Sequence, residues 1–282
     1  MKTNLLLLAL TGLVAGFVVS CSQEADVSEL RKAGKQAFLE EDYPAARQYL
    51  LKALATAPSD KDLLYFTAQA YGRDYMLDSA LFYYKRIDVL YPEDRETNQQ
   101  IFSIAMELEE WEDAIGAISV LAKTGDGYEP YLGQLSDLWA RTGSYINALY
   151  WARRAIAVQP DNQTEYVKAS GAAAQCDSIE VAMELIETAI EKFGAQPKFR
   201  ANKAAFLARM NRHKEAEQLF REIIAEDSLT PGFKLGLAHS LAAQGKKDKK
   251  REALALYRSV QGLIPPAFGV DSLIQVLSEE LE

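Results

Sequence analysis

The sequence predicts an all-α fold of stacked helical hairpins, and three observations lead to this prediction. Alanine recurs every 34 residues without a gap, at Ala46, Ala80, Ala114, Ala148, Ala182 and Ala216. Further columns of mostly apolar residues keep the same step. Within each unit these positions lie three or four residues apart, as on one face of an α-helix. A repeat of roughly 20 to 50 residues indicates a solenoid, because one short unit cannot bury its apolar face alone.

The columns that accompany the alanines indicate two helices in each unit. A bulky apolar residue precedes each alanine by three positions, except in the last case, at Tyr43, Leu77, Trp111, Tyr145, Ile179 and His213. An upstream column is small except at its third member and holds Gly34, Ala68, Phe102, Ser136, Ser170 and Ala204. Small residues in both helices would let the two backbones approach closely, while the larger side chains fill the space between hairpins.

This pattern resembles the tetratricopeptide repeat (TPR), whose 34-residue unit ends in a proline. Proline stands there at Pro58, Pro92 and Pro160, and Asp126, Gly194 and Ser228 replace it elsewhere. The resemblance implies a TPR-type α-solenoid. Such a fold is a right-handed superhelix, here of about seven helix-turn-helix repeats plus a C-terminal capping helix.

The repeat register divides residues 27–265 into seven TPR-like units. Their expected bounds are 27–60, 61–94, 95–128, 129–162, 163–196, 197–230 and 231–265. In the seventh unit the second-helix pattern comes three residues late, at Ala253, Tyr257, Val260 and Pro265. This delay predicts an insertion in the turn that holds residues 245–251. Residues 266–282 have apolar side chains at helical spacing and are predicted to form the capping helix.

The N-terminal segment has the layout of a secretory signal. One basic residue, Lys2, precedes an uncharged apolar stretch over residues 5–19. The stretch falls short of the roughly 20 residues that a helix needs to cross a bilayer, so an uncleaved membrane anchor is the less favoured alternative.

The apolar stretch ends in Val18-Val19-Ser20-Cys21, which resembles the lipobox of bacterial lipoproteins. The resemblance implies a signal peptide at residues 1–20, lipidation of Cys21 and a tether that includes residues 21–26. It also implies anchoring in the bacterial outer membrane, because Ser22 and not an aspartate follows the cysteine. The protein is expected to face the periplasm, with exposure at the cell surface as the alternative.

Net charge and cysteine count narrow the classes of partner. The full chain has a net charge of −9, and loss of the signal peptide would remove one basic residue, Lys2, and leave −10. No nucleic acid is expected as a partner, because an acidic protein repels the phosphate backbone. If Cys21 is lipidated, Cys176 has no cysteine left for a disulfide, and we interpret it as a small buried side chain.

The resemblance to TPR proteins also implies where a partner binds. In such stacks the first helices line a concave groove, and here the groove positions of the first two units combine basic, aromatic and polar residues. The predicted partner-binding residues are Arg31, Lys35, Phe38, Tyr65, Phe66, Gln69 and Arg73. This mixture on an acidic chain suits an extended peptide that carries carboxylates. Alternatively, the cations are ordinary solvated side chains of exposed helix faces.

Two other stretches carry residue types that are common at interfaces. The second helices of units two and four contain consecutive aromatic residues, within 81–84 and 149–152. We expect some of them to face outward, although packing between repeats is the favoured role. The basic run at 246–251 is interpreted as a solvated turn, with contact to lipid headgroups or an acidic partner as the alternative.

No pattern typical of a catalytic or metal site occurs in the sequence. The two histidines, His213 and His239, lie in different repeats, and neither starts a metal-ligand spacing such as H-E-x-x-H. No G-x-S-x-G turn, phosphate-binding glycine loop or C-x-x-C pair is present. The prediction is a protein that is not an enzyme and has no metal or small-molecule cofactor.

These features indicate a non-catalytic scaffold or adaptor lipoprotein of the bacterial envelope. It is expected to bind peptides or helices of other envelope proteins in its TPR groove, for assembly of an envelope complex, and to attach to the membrane through Cys21. The alternative is a surface lipoprotein that captures glycans or nutrients for an outer-membrane transporter. Proteins of that class carry long insertions that build the sugar site, whereas the first six units here keep step without any.

Overall fold

The computed structural model of this chain describes residues 27–123 and 127–282. These residues form two compact units that meet in sequence at Tyr131 and Leu132. All regular elements among them are helices, which confirms the predicted all-α fold. The predicted signal peptide at 1–20 and the predicted lipidated cysteine and tether at 21–26 lie outside the described residues.

Unit 1 contains three helical hairpins. Its helices are α1 (residues 27–39), α2 (Tyr43–Thr56), α3 (Lys61–Arg73), α4 (Leu77–Leu90), α5 (Arg95–Leu108) and α6 (Trp111–Leu121). Each odd-numbered helix is the first helix of a hairpin and each even-numbered helix is the second. The core lies between them, and its largest fully buried side chains include Leu50, Leu63, Tyr84 and Ile118.

Unit 2 holds most of α7, three complete hairpins and the C-terminal helix. Its helices are α7 (Glu129–Arg141), α8 (Tyr145–Val158), α9 (Gln163–Gln175), α10 (Ile179–Phe193), α11 (Pro197–Arg209), α12 (His213–Glu226), α13 (Pro231–Ala242), α14 (Lys247–Val260) and α15 (Val270–Leu281). A short 3₁₀ helix, Pro266–Phe268, precedes α15. Val270 and Leu277 of α15 are buried in the same cluster as Tyr257 of α14, so α15 covers the last hairpin.

The alanine column marks the closest contact between the helices of each hairpin. All six of its alanines are fully buried. Opposite them, the Ser136 hydroxyl donates to the Ala148 carbonyl oxygen over 2.9 Å. In the first hairpin a Cβ on Gly34 would lie 2.7 Å from Leu50 Cγ. Small side chains at these positions are therefore required by the distance between the two backbones.

The turn inside each hairpin has a left-handed residue at one repeat position. Positive φ angles occur at Glu41, Tyr75, Glu109, Gly143, Asp177, Asn211 and Gly245, which follow one another at 34-residue steps. The left-handed residue reverses the chain, and the next amide closes the turn, as when Met76 N donates to the Tyr71 carbonyl over 3.0 Å. Only two members of this column are glycines, so the sequence does not reveal it as a glycine repeat.

The left-handed column corrects the prediction for the seventh repeat. Gly245 stands 34 residues after Asn211, and α14 begins at Lys247, 34 residues after His213. The turn therefore contains no insertion, and most of the run that was interpreted as a turn is the start of α14. The delay lies within the helix, where Lys250 occupies the alanine position and pairs with Glu280 of α15 over 2.9 Å.

The first helices begin at side-chain caps that also follow the repeat. Asp60, Asp94 and Asn162 are N-cap residues whose side-chain oxygens accept hydrogen bonds from backbone amides of the first helical turn. They satisfy amides that have no carbonyl partner within the helix.

Two further observations concern single residues and helix length. Cys176 is the C-cap of α9 and is only partly buried, so the interpretation of it as a buried side chain is wrong in degree. Within 27–123 and 127–282, no helix combines the length and the apolar character that crossing a bilayer requires.

A matched pair of glycine substitutions in unit 2 tests the left-handed column. Gly143 has φ +79°, Gly171 lies inside α9, and an added Cβ would meet no atom within 4 Å at either site. We expect Gly143→Ala to lower the free energy of unfolding by about 1 kcal/mol, because alanine disfavours the left-handed region. Gly171→Ala should raise it by about 0.5–1 kcal/mol, because alanine favours helix. Urea denaturation measures both, and equal signs would contradict the assignment.

Candidate partner-binding surfaces

The predicted partner-binding residues lie on α1 and α3, and we call the set the first-helix surface. It consists of Arg31, Lys35, Phe38, Tyr65, Phe66, Gln69 and Arg73. The structure brings several of them into contact. Lys35 Nζ lies 4.4 Å from the centre of the Phe66 ring. The rings of Phe38 and Phe66 meet edge to face with their centres 5.7 Å apart.

Two of the three predicted cations of this surface are paired within the fold. Arg31 forms an ion pair with Asp60, the N-cap residue of α3. Lys35 Nζ lies 3.2 Å from Asp62 Oδ2 in the first turn of the same helix. Arg73, at the end of α3, is exposed. The surface is thus less basic than the sequence indicates, because the neighbouring repeat supplies carboxylates that the sequence pattern did not assign to it.

The aromatic side chains of this surface also link successive hairpins. The Tyr65 hydroxyl donates to Glu96 Oε1 of α5 over 2.6 Å, and its ring meets the Tyr84 ring edge to face. Burial, together with the hydrogen bond to Glu96, raises the pKa of Tyr65, so the phenol keeps its proton as a donor. Phe38, Tyr65 and Phe66 nevertheless stay only partly buried. Each ring is held in place and still presents an edge or face to solvent.

The first helices of unit 2 are also joined by charged groups. Lys168 of α9 reaches α7, where its Nζ lies 2.8 Å from Asp137 Oδ2 and donates to the Gly133 carbonyl over 3.2 Å. The buried carboxylate of Glu165 lies against Gly133, where a Cβ would come within 2.6 Å of Glu165 Oε1. Burial lowers the pKa of Lys168, but Asp137 and Glu165 outweigh it and raise the pKa overall. These contacts stabilise the packing of α7 on α9.

A second candidate surface, which the sequence analysis did not single out, follows α4. It is a groove of about 660 Å³, lined by α4 from Asp78 to Leu90, by Pro58 and Ser59 after α2, and by Glu110 and Asp113 at the start of α6. We call it the α4 groove. Phe82, Val89 and Leu90 are 57%, 81% and 43% exposed.

The sequence contained part of the signal for this groove. In the aromatic run of α4, Tyr84 is buried and Tyr83 stacks on Tyr71 with ring centres 5.5 Å apart, while Phe82 faces outward. Tyr150 occupies the same repeat position in α8 and is 54% exposed. This confirms that some aromatic residues of the two runs face outward. Val89 was missed because it belongs to none of the repeat columns and its surroundings come from two other helices.

The basic run at 246–251 takes part in the packing of the last hairpins. Lys249 Nζ lies 2.7 Å from Glu217 Oε1 of α12, and Gln244 Nε2 donates to Glu217 Oε2 over 2.7 Å. Arg221 adds a third contact to the same carboxylate at 2.9 Å. Burial raises the pKa of Glu217, but the donors Lys249, Gln244 and Arg221 outweigh it and hold the pKa at about 2.

Metal-binding potential was searched over the same described ranges. No group of three or more histidine, cysteine, aspartate or glutamate side chains there could hold a metal ion. His213 is the first residue of α12, and His239 lies on α13 against the Tyr257 ring.

Solved structures resemble this arrangement of hairpins over most of its length. A tetratricopeptide repeat protein from Parabacteroides merdae matches with a TM-score of 0.53 and 14% identity, over 90% of this chain and 99% of that chain. This protein has the TPR fold.

Two further structures show the same TPR architecture. YrrB, described as a TPR protein with an unusual peptide-binding site, matches with a TM-score of 0.50 and 13% identity over 70% of this chain and 98% of its own. A chain from the structure of Naa15/Naa10 bound to HypK-THB matches with a TM-score of 0.54 and 13% identity, over 90% of this chain and 39% of that chain. No family model matches the sequence, and a search of curated proteins finds no match either.

The Glu217 contacts predict how stability depends on pH. The folded-state pKa of about 2 lies below the ordinary value of 4.5, so the contribution is complete above pH 4.5 and is lost as the pH falls towards 2. We expect Glu217→Gln to lower the free energy of unfolding at pH 7 by about 2 kcal/mol, because three donors lose a charged acceptor. Between pH 4.5 and 2 the variant should lose less stability than the unsubstituted protein.

Thermal denaturation followed by circular dichroism across this pH range measures the effect. Glu184→Gln is the matched control, because Glu184 is exposed on α10. Parallel pH profiles for the Glu217 variant and the unsubstituted protein would show that the carboxylate does not contribute as described.

Proposed function

We propose that this protein is a non-catalytic scaffold that binds other proteins or peptides through its TPR units. The observation that carries the proposal is the first-helix surface. Its three rings, Phe38, Tyr65 and Phe66, are fixed by contacts between α1, α3 and their neighbours and remain partly exposed. A surface that is already ordered binds a partner at a lower entropic cost than a mobile one.

The chemistry of this surface favours a partner segment with apolar and polar side chains over a strongly acidic one. Arg31 and Lys35 are paired with Asp60 and Asp62, so they offer little free charge. Arg73 is exposed and is available to a carboxylate of the partner. YrrB, which shares the fold, is described as having a peptide-binding site, and this supports peptides as the class of ligand.

The proposed location is the bacterial envelope, where the partners would be other envelope proteins. The support comes from the sequence alone, namely the uncharged apolar stretch at 5–19 and the Val18-Val19-Ser20-Cys21 motif after it. A diacylglycerol on Cys21 together with an N-acyl chain would supply the two anchors that stable membrane attachment needs. We propose the periplasmic face of the outer membrane.

Photo-crosslinking in cells tests the first-helix surface. A benzophenone amino acid replaces Lys32 on α1 or Arg73 on α3, because both side chains are exposed and their replacement leaves the packing intact. We expect both positions to trap one or more specific proteins. Mass spectrometry identifies the trapped segment.

The control is the same amino acid at Glu184 on α10, an exposed second-helix position in unit 2. If Glu184 traps the same proteins while Lys32 and Arg73 trap none, the first-helix surface is not the binding site. If none of the positions traps a protein, the scaffold function itself is contradicted.

A separate substitution tests the lipid anchor. We expect Cys21→Ala to abolish labelling by a fatty-acid analogue and to move the protein from the membrane fraction to the soluble fraction, because the thioether can form only on the cysteine. Cys176→Ala is the matched control and should leave both properties unchanged. Membrane association that survives Cys21→Ala would favour an uncleaved anchor.

A further inference from the structure

The α4 groove has an apolar stripe with helical spacing. Phe82, Val89 and Leu90 lie along one side of α4, and all three are exposed. From Asp78 to Leu90 the lining extends along α4 by about 18 Å, at about 1.5 Å per residue. Exposed apolar side chains that line one groove are typical of an interaction site. The stripe and its length match one face of a short α-helix.

The two ends of the groove differ in charge. At the C-terminal end of α4, Val89 and Leu90 face Pro58, and no carboxylate lines this end. At the N-terminal end lie Asp78 and Glu110, both exposed.

The cations of the groove are already engaged. Lys85 Nζ lies 2.7 Å from Asp113 Oδ1. Arg86 donates to the Pro58 carbonyl oxygen over 2.8 Å, and its guanidinium lies 5.7 Å from the centre of the Tyr83 ring. The side chains of Asp78 and Glu110 have no hydrogen bond or ion pair among the described residues. The groove therefore combines an apolar floor with two available negative charges at one end.

We propose that the α4 groove binds an amphipathic α-helix of a partner protein, with apolar side chains on Phe82, Val89 and Leu90 and a lysine or arginine near Asp78 and Glu110. This inference names a partner class for the proposed scaffold function and rests on it. It assigns the contact to a second helix, on a surface separate from the residues of the first-helix surface.

Charge complementarity favours such a partner over the other occupants. A second copy of this chain has a net charge of −9, so two copies repel each other and the acidic end gains no counter-charge. The chain's own segment before α1, Ser22-Gln23-Glu24-Ala25-Asp26, has two acidic residues and no large apolar side chain. Neither offers both the apolar face and the cation that the groove accepts.

Binding of a designed peptide to the purified full chain tests the proposal. The probe is a fluorescent peptide of about 15 residues, which spans the groove when helical, with leucines along one face and two lysines in its last turn. We expect saturable binding by fluorescence anisotropy, and Phe82→Ala should weaken it about tenfold, because an aromatic anchor contributes strongly to a small interface. Val89→Ala, at a second exposed position, should also weaken it.

Tyr150→Ala is the matched control, because Tyr150 holds the same repeat position and is similarly exposed but lies in α8. It should bind the peptide as tightly as the unsubstituted chain. The double variant Asp78→Asn, Glu110→Gln should weaken the lysine peptide severalfold at low salt and leave a peptide with glutamines in place of lysines unchanged.

Three results would overturn the proposal. They are the absence of binding, equal losses for Phe82→Ala and Tyr150→Ala, and a dimer in sedimentation that Phe82→Ala abolishes, which would make a second copy the occupant. The crosslinks from Lys32 and Arg73 separate the two hypotheses. If they persist while the peptide fails to bind at Phe82, the scaffold function stands and only the α4 groove is ruled out as a docking site.

Discussion

The close contact between the two helices of each hairpin is the constraint on which the rest of the structure depends. It requires a small side chain on both backbones, and the fully buried alanine column satisfies it on every second helix from α2 to α12. Because each alanine occupies the same place in its hairpin, the larger neighbours, such as Leu50 and Tyr84, are placed between one hairpin and the next. Exposed side chains then also recur at a regular interval, which is the property that a scaffold needs.

Polar contacts between successive hairpins add to this apolar packing and limit what the surface has available for partners. Asp60 caps α3 through its side chain and also pairs with Arg31 of α1. Asp94 does the same for α5 and for Lys61, whose Nζ lies 2.5 Å away. Cations that the sequence suggested for ligand binding are thus partly used for stacking. What remains exposed on the first-helix surface is aromatic and polar more than basic.

The two candidate surfaces have different origins in the repeat. The first-helix surface uses positions that every hairpin presents, and its residues are held by contacts that the stack itself requires, such as Tyr65 with Glu96. The α4 groove uses Phe82 and Val89, which serve no repeat column and leave apolar area in water. An exposed apolar stripe costs solubility without adding to the core, so its presence on α4 is the stronger sign of a specific interaction.

The sequence by itself determined the hairpin architecture, because a 34-residue alanine column is a direct consequence of close helix packing and can be read without coordinates. It also indicated the aromatic runs from which Phe82 and Tyr150 face outward. Only the tertiary structure decided which side chains pair across hairpins, since Arg31 with Asp60 and Lys85 with Asp113 join residues 28 or 29 positions apart that no local pattern connects. It also decided that the seventh turn keeps its length, because the left-handed conformation of Gly245 is a property of the backbone. Periodicity records the packing that every repeat shares, whereas a site arises from the contacts of particular residues brought together by folding.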